Sequence, residues 1–290
     1  MSRAITAGLD GSPESLAAAQ WAAHEALRRA VPLRLLRVWS IDEDPRTRVV
    51  DPVTARKWGE RTLAIAERRL RRRHPSVDIE PAWVAGDPVE ELCGAAGEAE
   101  LLVLGSRGLG GLAGFLAGSV SLAVLARTRR PVVLVRPHAP LEPQEERTGE
   151  VVIGLDVSAA ASDELLAFGF AAADRYGCGL RVVHRWAVPA LYGPDMLGAL
   201  PLLLTEVAED TRRALDEALA PWTEKFPDVA VERDCRQGRP AQDLMELSHD
   251  ARLVVVGRKV RRARLGTHIG AVTHAVLHHC LAPVAVVPHD

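Results

Sequence analysis

The sequence predicts an α/β protein of two tandem, doubly wound domains, each with a five-stranded parallel sheet. The first observation is an internal repeat, in which LRLLRVW (Leu33–Trp39) recurs as LRVVHRW (Leu180–Trp186) and LLVLGSRG recurs as LVVVGRKV. The second is that short apolar runs alternate with amphipathic stretches within each copy, a pattern typical of a parallel sheet covered on both faces. The copies span residues 1–138 and 150–290, and the charged, proline-rich residues 139–149 predict a linker.

In the first copy, the apolar runs predict strands and the stretches between them predict helices. The first helix is expected over Pro13–Ala30, where apolar residues recur at helical spacing, with Ser12 as the N-cap. Asp87 precedes another helix in a capping-box pattern with Glu90. The strands are expected at about Ala4–Leu9, Leu33–Trp39, Val77–Val84, Leu101–Leu104 and Val132–Val135.

Composition limits the partners and the compartment that the chain is expected to have. With 36 basic and 38 acidic residues the net charge is −2, so no overall attraction to nucleic acid or to a membrane is expected. The four cysteines lack the spacing of a zinc site or a disulfide framework, which favours a reducing compartment. We find no signal-peptide pattern and no apolar run of the roughly 20 residues needed for a membrane span, and therefore expect a cytoplasmic protein.

A glycine-rich stretch, Gly105–Ser119, follows the fourth predicted strand, at the edge where ligands of such sheets bind. It contains six glycines and no acidic residue. Ser119 begins the next helix, where unpaired amides and the helix dipole favour an anion. Five arginines surround the stretch and strengthen the expectation of a phosphate site: Arg107, Arg127, Arg129, Arg130 and Arg136. For the glycines alone, a tight turn with close helix packing is the alternative.

The spacing of the glycines in this stretch distinguishes between the known types of phosphate-binding loop. A Walker A loop requires a lysine that is absent here, and a dinucleotide fingerprint would follow the first strand. The spacing Gly105-x2-Gly108-x9-Gly118-Ser119 instead resembles the signature of the ATP-binding branch of the universal stress proteins. GLDGS after the first strand and the final strand PVVLVRP are similar to that family as well, and the two-copy layout is similar to its tandem members.

The resemblance implies a Rossmann-like fold of the adenine-nucleotide alpha-hydrolase type that binds ATP. Asp10 is expected near the nucleotide, through Mg²⁺, with a role as a cap partner of the first helix as the alternative. Val38 is expected to bind adenine through its main chain, and Gly8 to keep the backbone open beside the base. The residues expected around ribose and phosphates are Gly105, Ser106, Arg107, Gly108, Gly118, Ser119, Val120 and Ser121.

The second copy departs from this pattern. It keeps the spacing as Gly257-x2-Val260-x9-Gly270-Ala271, but loses the second glycine and the hydroxyl. Asp156 is retained at the position of Asp10, and Arg185 replaces Val38. We expect this copy to bind ATP weakly, to bind it in another pose, or to be a structural partner of the first.

The resemblance implies a stress-linked regulator that binds ATP without efficient turnover. A slow ATPase or nucleotide transferase and an interaction module without nucleotide are the alternatives. The apolar final strands predict either an intramolecular pseudo-dimer or a homodimer, and a regulatory protein partner of unknown identity is expected. His274 and His278 lie four residues apart, as metal ligands on one helix face do, but a third ligand is not evident.

Overall fold

The computed structural model describes residues 3–39, 52–106, 118–137, 149–157, 163–186, 200–260 and 269–289. The chain forms two compact units. The first comprises residues 1–145 together with 262–269, and the second comprises residues 146–261 together with 270–290. Most of the predicted linker, and the predicted site residues Arg107 and Gly108, lie outside the described residues.

The first unit alternates strands and helices along the chain. Its strands pair in parallel, in the order β3-β2-β1-β4-β5. The three strands β1, β4 and β5 are buried along nearly their whole length, which accounts for their apolar sequences, with Thr6 of β1 as the polar exception. The elements are β1 (Ile5–Gly8), α1 (Pro13–Arg29), β2 (Leu33–Trp39), α2 (Pro52–Arg73), β3 (Ile79–Ala85), α3 (Pro88–Glu98), β4 (Leu101–Gly105), α4 (Ser119–Arg127) and β5 (Val132–Val135).

Side-chain caps fix the starts of two helices in this unit, as the sequence predicts. The Ser12 hydroxyl accepts the Ser15 amide at 3.1 Å at the start of α1. Asp87 accepts the amides of Val89 and Glu90, both at 2.9 Å, at the start of α3. Each cap satisfies amides that the first turn of a helix leaves unpaired.

The second unit repeats this architecture, with strand order β8-β7-β6-β9-β10, all parallel. The predicted fold class, two tandem doubly wound five-stranded parallel sheets, is therefore confirmed. Among the described helices of both units, none is long and apolar enough to cross a membrane. The elements are β6 (Val151–Gly154), α5 (Asp163–Tyr176), β7 (Leu180–Trp186), α6 (Leu200–Lys225), β8 (Val231–Gln237), α7 (Pro240–Leu247), β9 (Leu253–Lys259), α8 (Ala271–His279) and β10 (Val284–His289).

The strand order indicates where in the first unit a ligand would bind. In the first unit the chain builds outward from β1 through β2 to β3, and then returns to the other side of β1 to add β4 and β5. The order therefore reverses between β1 and β4, and the helices that follow these strands leave on opposite faces. A crevice at the carboxyl ends of such a strand pair is where doubly wound sheets bind ligands.

Candidate functional site

Asp10 lies just beyond the carboxyl end of β1, at the point where the strand order reverses. Its Oδ1 accepts the Ser12 amide at 2.8 Å and the Ser12 hydroxyl at 2.5 Å. Burial alone would raise the pKa of Asp10, but the hydrogen bonds from Ser12 and Ser15 and the charge of Arg37 outweigh burial and lower it. Asp10 is therefore an ionised carboxylate at neutral pH, held in place by the start of α1. The structure thus shows the cap-partner role, and a carboxylate has lone pairs left for a further ligand.

Arg37 supports the same turn from β2. Its Nη1 donates to the carbonyl oxygen of Leu9 at 3.1 Å. Burial lowers the pKa of Arg37, although the Asp10 carboxylate acts in the opposite direction. In the second unit His184 replaces Arg37 in the repeat, and its Nδ1 lies 2.9 Å from the carbonyl oxygen of Leu155, the equivalent of Leu9. Both units therefore fix the end of their first strand through a side chain of the second strand.

The main chain of Val38 faces the space beyond the end of β1. Gly8 of β1 aligns with Leu36, and the Leu9 amide donates to the Leu36 carbonyl oxygen at 2.8 Å, so Leu36 directs its polar groups toward β1. Because the side to which main-chain groups point alternates along a strand, those of Val38 point the same way. The Trp39 carbonyl oxygen accepts the Gly86 amide at 2.9 Å on the β3 side, which agrees with this alternation.

Two glycines at this edge lie close to neighbouring atoms, and packing against backbone requires the one at position 105. A Cβ on Gly105 would lie 2.6 Å from the backbone carbon of Glu14 and 2.7 Å from the Ser15 amide nitrogen. The first turn of α1 thus packs directly on the end of β4. A Cβ on Gly8 would lie 2.6 Å from a methyl carbon of Leu104 and would crowd Leu92. The close-packing alternative for the glycine-rich stretch is therefore observed at Gly105.

Ser106 follows Gly105 and contributes a buried hydroxyl. The residue is 2% exposed, and its amide donates to the Val135 carbonyl oxygen at 2.8 Å. Among the described residues, no group hydrogen-bonds the Ser106 Oγ. A buried hydroxyl without a partner is uncommon, because burial removes the water that would otherwise bind it. Ser106 thus offers a polar group that a ligand could satisfy.

Helix α4 begins beside this edge with an open N-terminus. Its N-cap, Gly118, has no side chain, and no described side chain caps the helix. Ser119 is exposed and Val120 is half-buried, and the first amides of the helix have no partner within the helix itself. Ser121 is buried, and its hydroxyl donates to the Gly105 carbonyl oxygen at 3.2 Å. Ser121 therefore links the helix start to the end of β4.

Three of the five arginines expected near the phosphate site do not lie there. Helix α4 runs back from the carboxyl edge of the sheet, so Arg127 at its end lies about 12 Å from its start, given 1.5 Å per residue. Arg129 and Arg130 precede β5 and lie at the amino edge of the sheet. The prediction was wrong for these three, because it counted charges along the sequence without allowing for the direction of the helix. Arg136, which follows β5, lies at the expected edge.

At the equivalent edge of its sheet, the second unit keeps the hydrogen bond between helix start and strand end but differs in strand length and in the first residue of the helix. Thr273 takes the place of Ser121, and its hydroxyl donates to the Gly257 carbonyl oxygen at 2.9 Å. Strand β9 continues through Arg258 and Lys259, two residues beyond the position equivalent to the end of β4. Helix α8 begins after Gly270, where a Cβ would meet no described atom within 4 Å. Ala271, however, provides no hydroxyl at the position of Ser119.

An ion-pair network lies where the first unit has Val38. The Arg185 side chain is 0% exposed, and its Nη2 donates to the Asp234 carboxylate at 2.6 Å. Its Nη1 donates to the Asp234 carbonyl oxygen at 2.7 Å, and its Nε donates to the Asp243 carboxylate. Burial alone would lower the pKa of Arg185, but the two carboxylates raise it, so the guanidinium is charged. Asp156 follows β6 as an exposed residue, as Asp10 follows β1.

These features define a class of protein: a doubly wound α/β fold with polar groups gathered at the carboxyl ends of its strands. The family model described as "Universal stress protein family" matches the chain twice, over residues 1–136 and 148–288. The chain therefore belongs to the universal stress protein family and is one of its tandem members, as the sequence resemblance implied.

Two relatives match the chain over nearly its whole length. A universal stress protein of Mycobacterium tuberculosis strain H37Rv is 34% identical over 292 residues, covering 97% of this chain and 96% of the relative. Another from the same strain is 30% identical over 308 residues, covering 99% of this chain and 96% of the relative. Each relative is therefore matched over nearly its whole length.

Solved structures agree on the fold. A universal stress protein from Archaeoglobus fulgidus DSM 4304 aligns with a TM-score of 0.69 at 17% identity, covering 99% of each chain. A universal stress protein in complex with cAMP is 30% identical, with a TM-score of 0.38, and covers 47% of this chain and 98% of its own. The first of these comparisons establishes the similarity of architecture.

Sequence reasoning missed three features of the site. It assigned Ser121 to the phosphates, whereas the structure uses its hydroxyl to hold α4 on β4. It did not consider Arg37, although its equivalent His184 lies in the repeat that the sequence shows. It noted Arg185 but not its partners, because Asp234 and Asp243 lie 49 and 58 residues away along the chain.

Proposed function

We propose that the first unit binds an adenine nucleotide, ATP with Mg²⁺, and that the protein is a nucleotide-dependent regulator of the stress response without efficient turnover. The observation that carries the proposal is the main chain of Val38, which points to the β1 side beyond the end of β1. No backbone hydrogen bond to this main chain is formed there among the described residues, and a polar main-chain edge of this kind needs a partner.

Adenine matches that edge chemically. Its Watson–Crick edge presents one amino donor and one ring acceptor side by side. A strand residue presents an amide donor and a carbonyl acceptor on the same side, so the Val38 main chain can satisfy both groups of the base. This recognition requires no particular side chain at position 38.

The phosphates have a matching position at the start of α4. The amides of Ser119 and Val120 have no partner within the helix, Gly118 leaves the helix without a side-chain cap, and the first turn contains no acidic residue. These conditions favour an anion through the unpaired amides and the helix dipole. The buried Ser106 hydroxyl, unpartnered among the described residues, fits the same occupant.

Asp10 suits a magnesium ion beside the phosphates. Its lowered pKa keeps the carboxylate ionised at neutral pH, and Ser12 fixes its orientation. A hard cation prefers carboxylate and phosphate oxygens and would lower the repulsion between Asp10 and the nucleotide. Hydrolysis further requires a base or a group that orients water at the γ-phosphate, and we assign Asp10 to the cation instead. Efficient turnover is therefore not expected.

The second unit is proposed not to bind an adenine nucleotide in this mode. Arg185 occupies the position equivalent to Val38, and its guanidinium donates hydrogen bonds to the carboxylates of Asp234 and Asp243. Its helix start lacks the hydroxyl of Ser119. We therefore assign this unit a structural or regulatory role and expect one nucleotide per chain.

Isothermal calorimetry on the full chain tests the proposal. We expect ATP with Mg²⁺ to bind at a stoichiometry of one, and Gly118→Val to abolish binding while circular dichroism shows a folded protein. cAMP, titrated in parallel, shows whether the site requires a triphosphate. Absence of binding heat confirmed by equilibrium dialysis would overturn the proposal. Phosphate release at roughly 1 s⁻¹, near the low end for enzymes, would overturn the assignment as a regulator without turnover.

A further inference from the structure

Two histidines on α8 of the second unit face each other through their ring nitrogens. The Nε2 atoms of His274 and His278 lie 3.2 Å apart, whereas the ring centroids lie 4.3 Å apart at an interplanar angle of 49°. The rings therefore converge at their Nε2 edges. The residues are four apart on one helix, which places both side chains on the same face.

The geometry suits one metal ion held between the two nitrogens. Metal–nitrogen bonds to histidine are about 2.0–2.1 Å long, so an ion bound by both Nε2 atoms at their observed separation subtends an angle of about 103°. This value lies between the 90° of octahedral or square-planar sites and the 109° of tetrahedral sites. The terminal ring torsion of histidine is broad, so small rotations can aim both lone pairs at the ion.

We propose that His274 and His278 bind a divalent first-row transition-metal ion that prefers imidazole, namely Cu²⁺, Ni²⁺ or Zn²⁺. His274 is exposed, so an ion can reach the pair from solvent. His278 is 5% exposed, so packing restricts its ring. One pre-positioned ligand and one accessible ligand lower the entropy that is lost on chelation.

Two protein ligands define the class of site. The described residues contain no group of three or more potential ligands, and we propose that water fills the positions that the two histidines leave. Such a site is open, binds less tightly than a four-ligand structural zinc site, and leaves positions for an exogenous ligand. For a site of nitrogen ligands the affinity follows the order Ni²⁺ < Cu²⁺ > Zn²⁺, so Cu²⁺ binds most tightly. Mg²⁺, which prefers oxygen, is not expected to bind here.

The internal repeat provides matched variants for the test. The positions equivalent to His274 and His278 in the first unit are Leu122 and Ala126, in the corresponding helix α4. The substitutions His274→Leu and His278→Ala therefore introduce side chains that the same helix accepts in the other unit. His279→Gln is the control, because the exposed His279 lies on α8 with its ring 6.5 Å from that of His278.

The experiment is calorimetric titration of the tag-free full chain with Cu²⁺, Ni²⁺ and Zn²⁺ salts, each alone. We expect one ion per chain, at least a tenfold loss of affinity in each of His274→Leu and His278→Ala, and no change in His279→Gln. Electron paramagnetic resonance of the Cu²⁺ complex should show coupling to two imidazole nitrogens in the wild type. Unchanged affinity in both variants, or a Cu²⁺ spectrum without two-nitrogen coupling, would overturn the proposal. The spectrum also decides the question if either variant fails to fold, and none of these readouts depends on nucleotide binding.

Discussion

The guanidinium of Arg185 binds both the carbonyl oxygen and the carboxylate of Asp234, at 2.7 and 2.6 Å, and the Arg185 side chain is fully buried. In the first unit the equivalent residues are Val38 and Ala82, which cannot form this interaction. The two copies therefore use the end of the same strand differently. One presents a main-chain edge without a backbone hydrogen bond among the described residues, and the other contains a charge network.

The Arg185 network should contribute measurably to stability. Arg185→Val leaves Asp234 and Asp243 with only the more exposed Arg236, at 3.3 and 3.5 Å. We expect the free energy of unfolding to fall by roughly 3 kcal/mol, at the low end for a broken buried pair because both carboxylates keep some exposure and this second cation. The double variant Arg185→Val/Asp234→Ala, which matches the first unit, should recover part of this loss. Urea denaturation in a double-mutant cycle measures the coupling, and strictly additive losses would contradict the network.

The main-chain recognition proposed at Val38 can be separated from strand pairing. Val38→Pro removes an amide that faces the β1 side, whereas Arg37→Pro removes one that faces β3. We expect the first variant to weaken ATP binding about tenfold, the effect of one lost hydrogen bond of about 1.4 kcal/mol, with a small loss of stability. The second should instead destabilise the sheet. Calorimetry and thermal unfolding compare the two, and unchanged affinity in Val38→Pro would contradict main-chain recognition.

The Asp10 turn should give a defined pH dependence. The folded pKa of Asp10 lies below that of an unfolded aspartate, so its ionised form stabilises the fold above that value, about 3.9, and the stabilisation is lost as the pH falls through the folded pKa. The stability difference between wild type and Asp10→Asn should therefore be constant above about pH 5 and shrink in more acidic solution. Urea unfolding across this range measures the difference.

Ser12→Ala offers a second measurement on the same turn. Without the hydrogen bond that the Ser12 hydroxyl donates to the Asp10 carboxylate, less opposes the effect of burial, and the pKa of Asp10 should rise in a carboxyl-carbon NMR titration. The lost N-cap should lower the free energy of unfolding by about 1 kcal/mol. A pKa that stays at its wild-type value would show that Ser12 does not set it.

Two glycines of the first unit should respond in opposite ways to the same substitution. Gly105→Ala places a Cβ against the backbone of Glu14 and Ser15, and we expect it to destabilise the protein by about 1–3 kcal/mol. Gly94 lies exposed inside α3, where a Cβ would meet no described atom within 4 Å. Gly94→Ala should therefore stabilise the helix by up to about 1 kcal/mol. Equal effects in thermal unfolding would contradict the close packing of α1 on β4.

The sequence alone was sufficient for the architecture and for the framework of the site. Runs such as Leu101–Gly105 are apolar because both faces of the strand are buried, and the repeat provided independent support for each element. The third strand begins two residues later than predicted, at Ile79, because Val77 is buried but precedes the first strand pair.

The details of the site depend on contacts that composition and spacing do not encode. The direction of the Val38 main chain follows from the register of β2 against β1. The need for Gly105 follows from the position of the α1 backbone, and the role of Ser121 from the distance between a helix start and a strand end. Each requires the three-dimensional arrangement of segments far apart along the chain.

The contact of α1 with Gly105 has a mechanical consequence. The same residue accepts the Ser121 hydroxyl of α4 and lies against the first turn of α1, the turn that also orients Asp10. The starts of α1 and α4 both contact Gly105, which has no side chain that could change rotamer to absorb a movement. A displacement of either helix start must therefore shift the other or break the hydrogen bond of Ser121. The Asp10 turn, where the cation is proposed to bind, and the start of α4, where the phosphates are proposed to bind, are therefore mechanically coupled. A displacement at one of these positions is transmitted to the other.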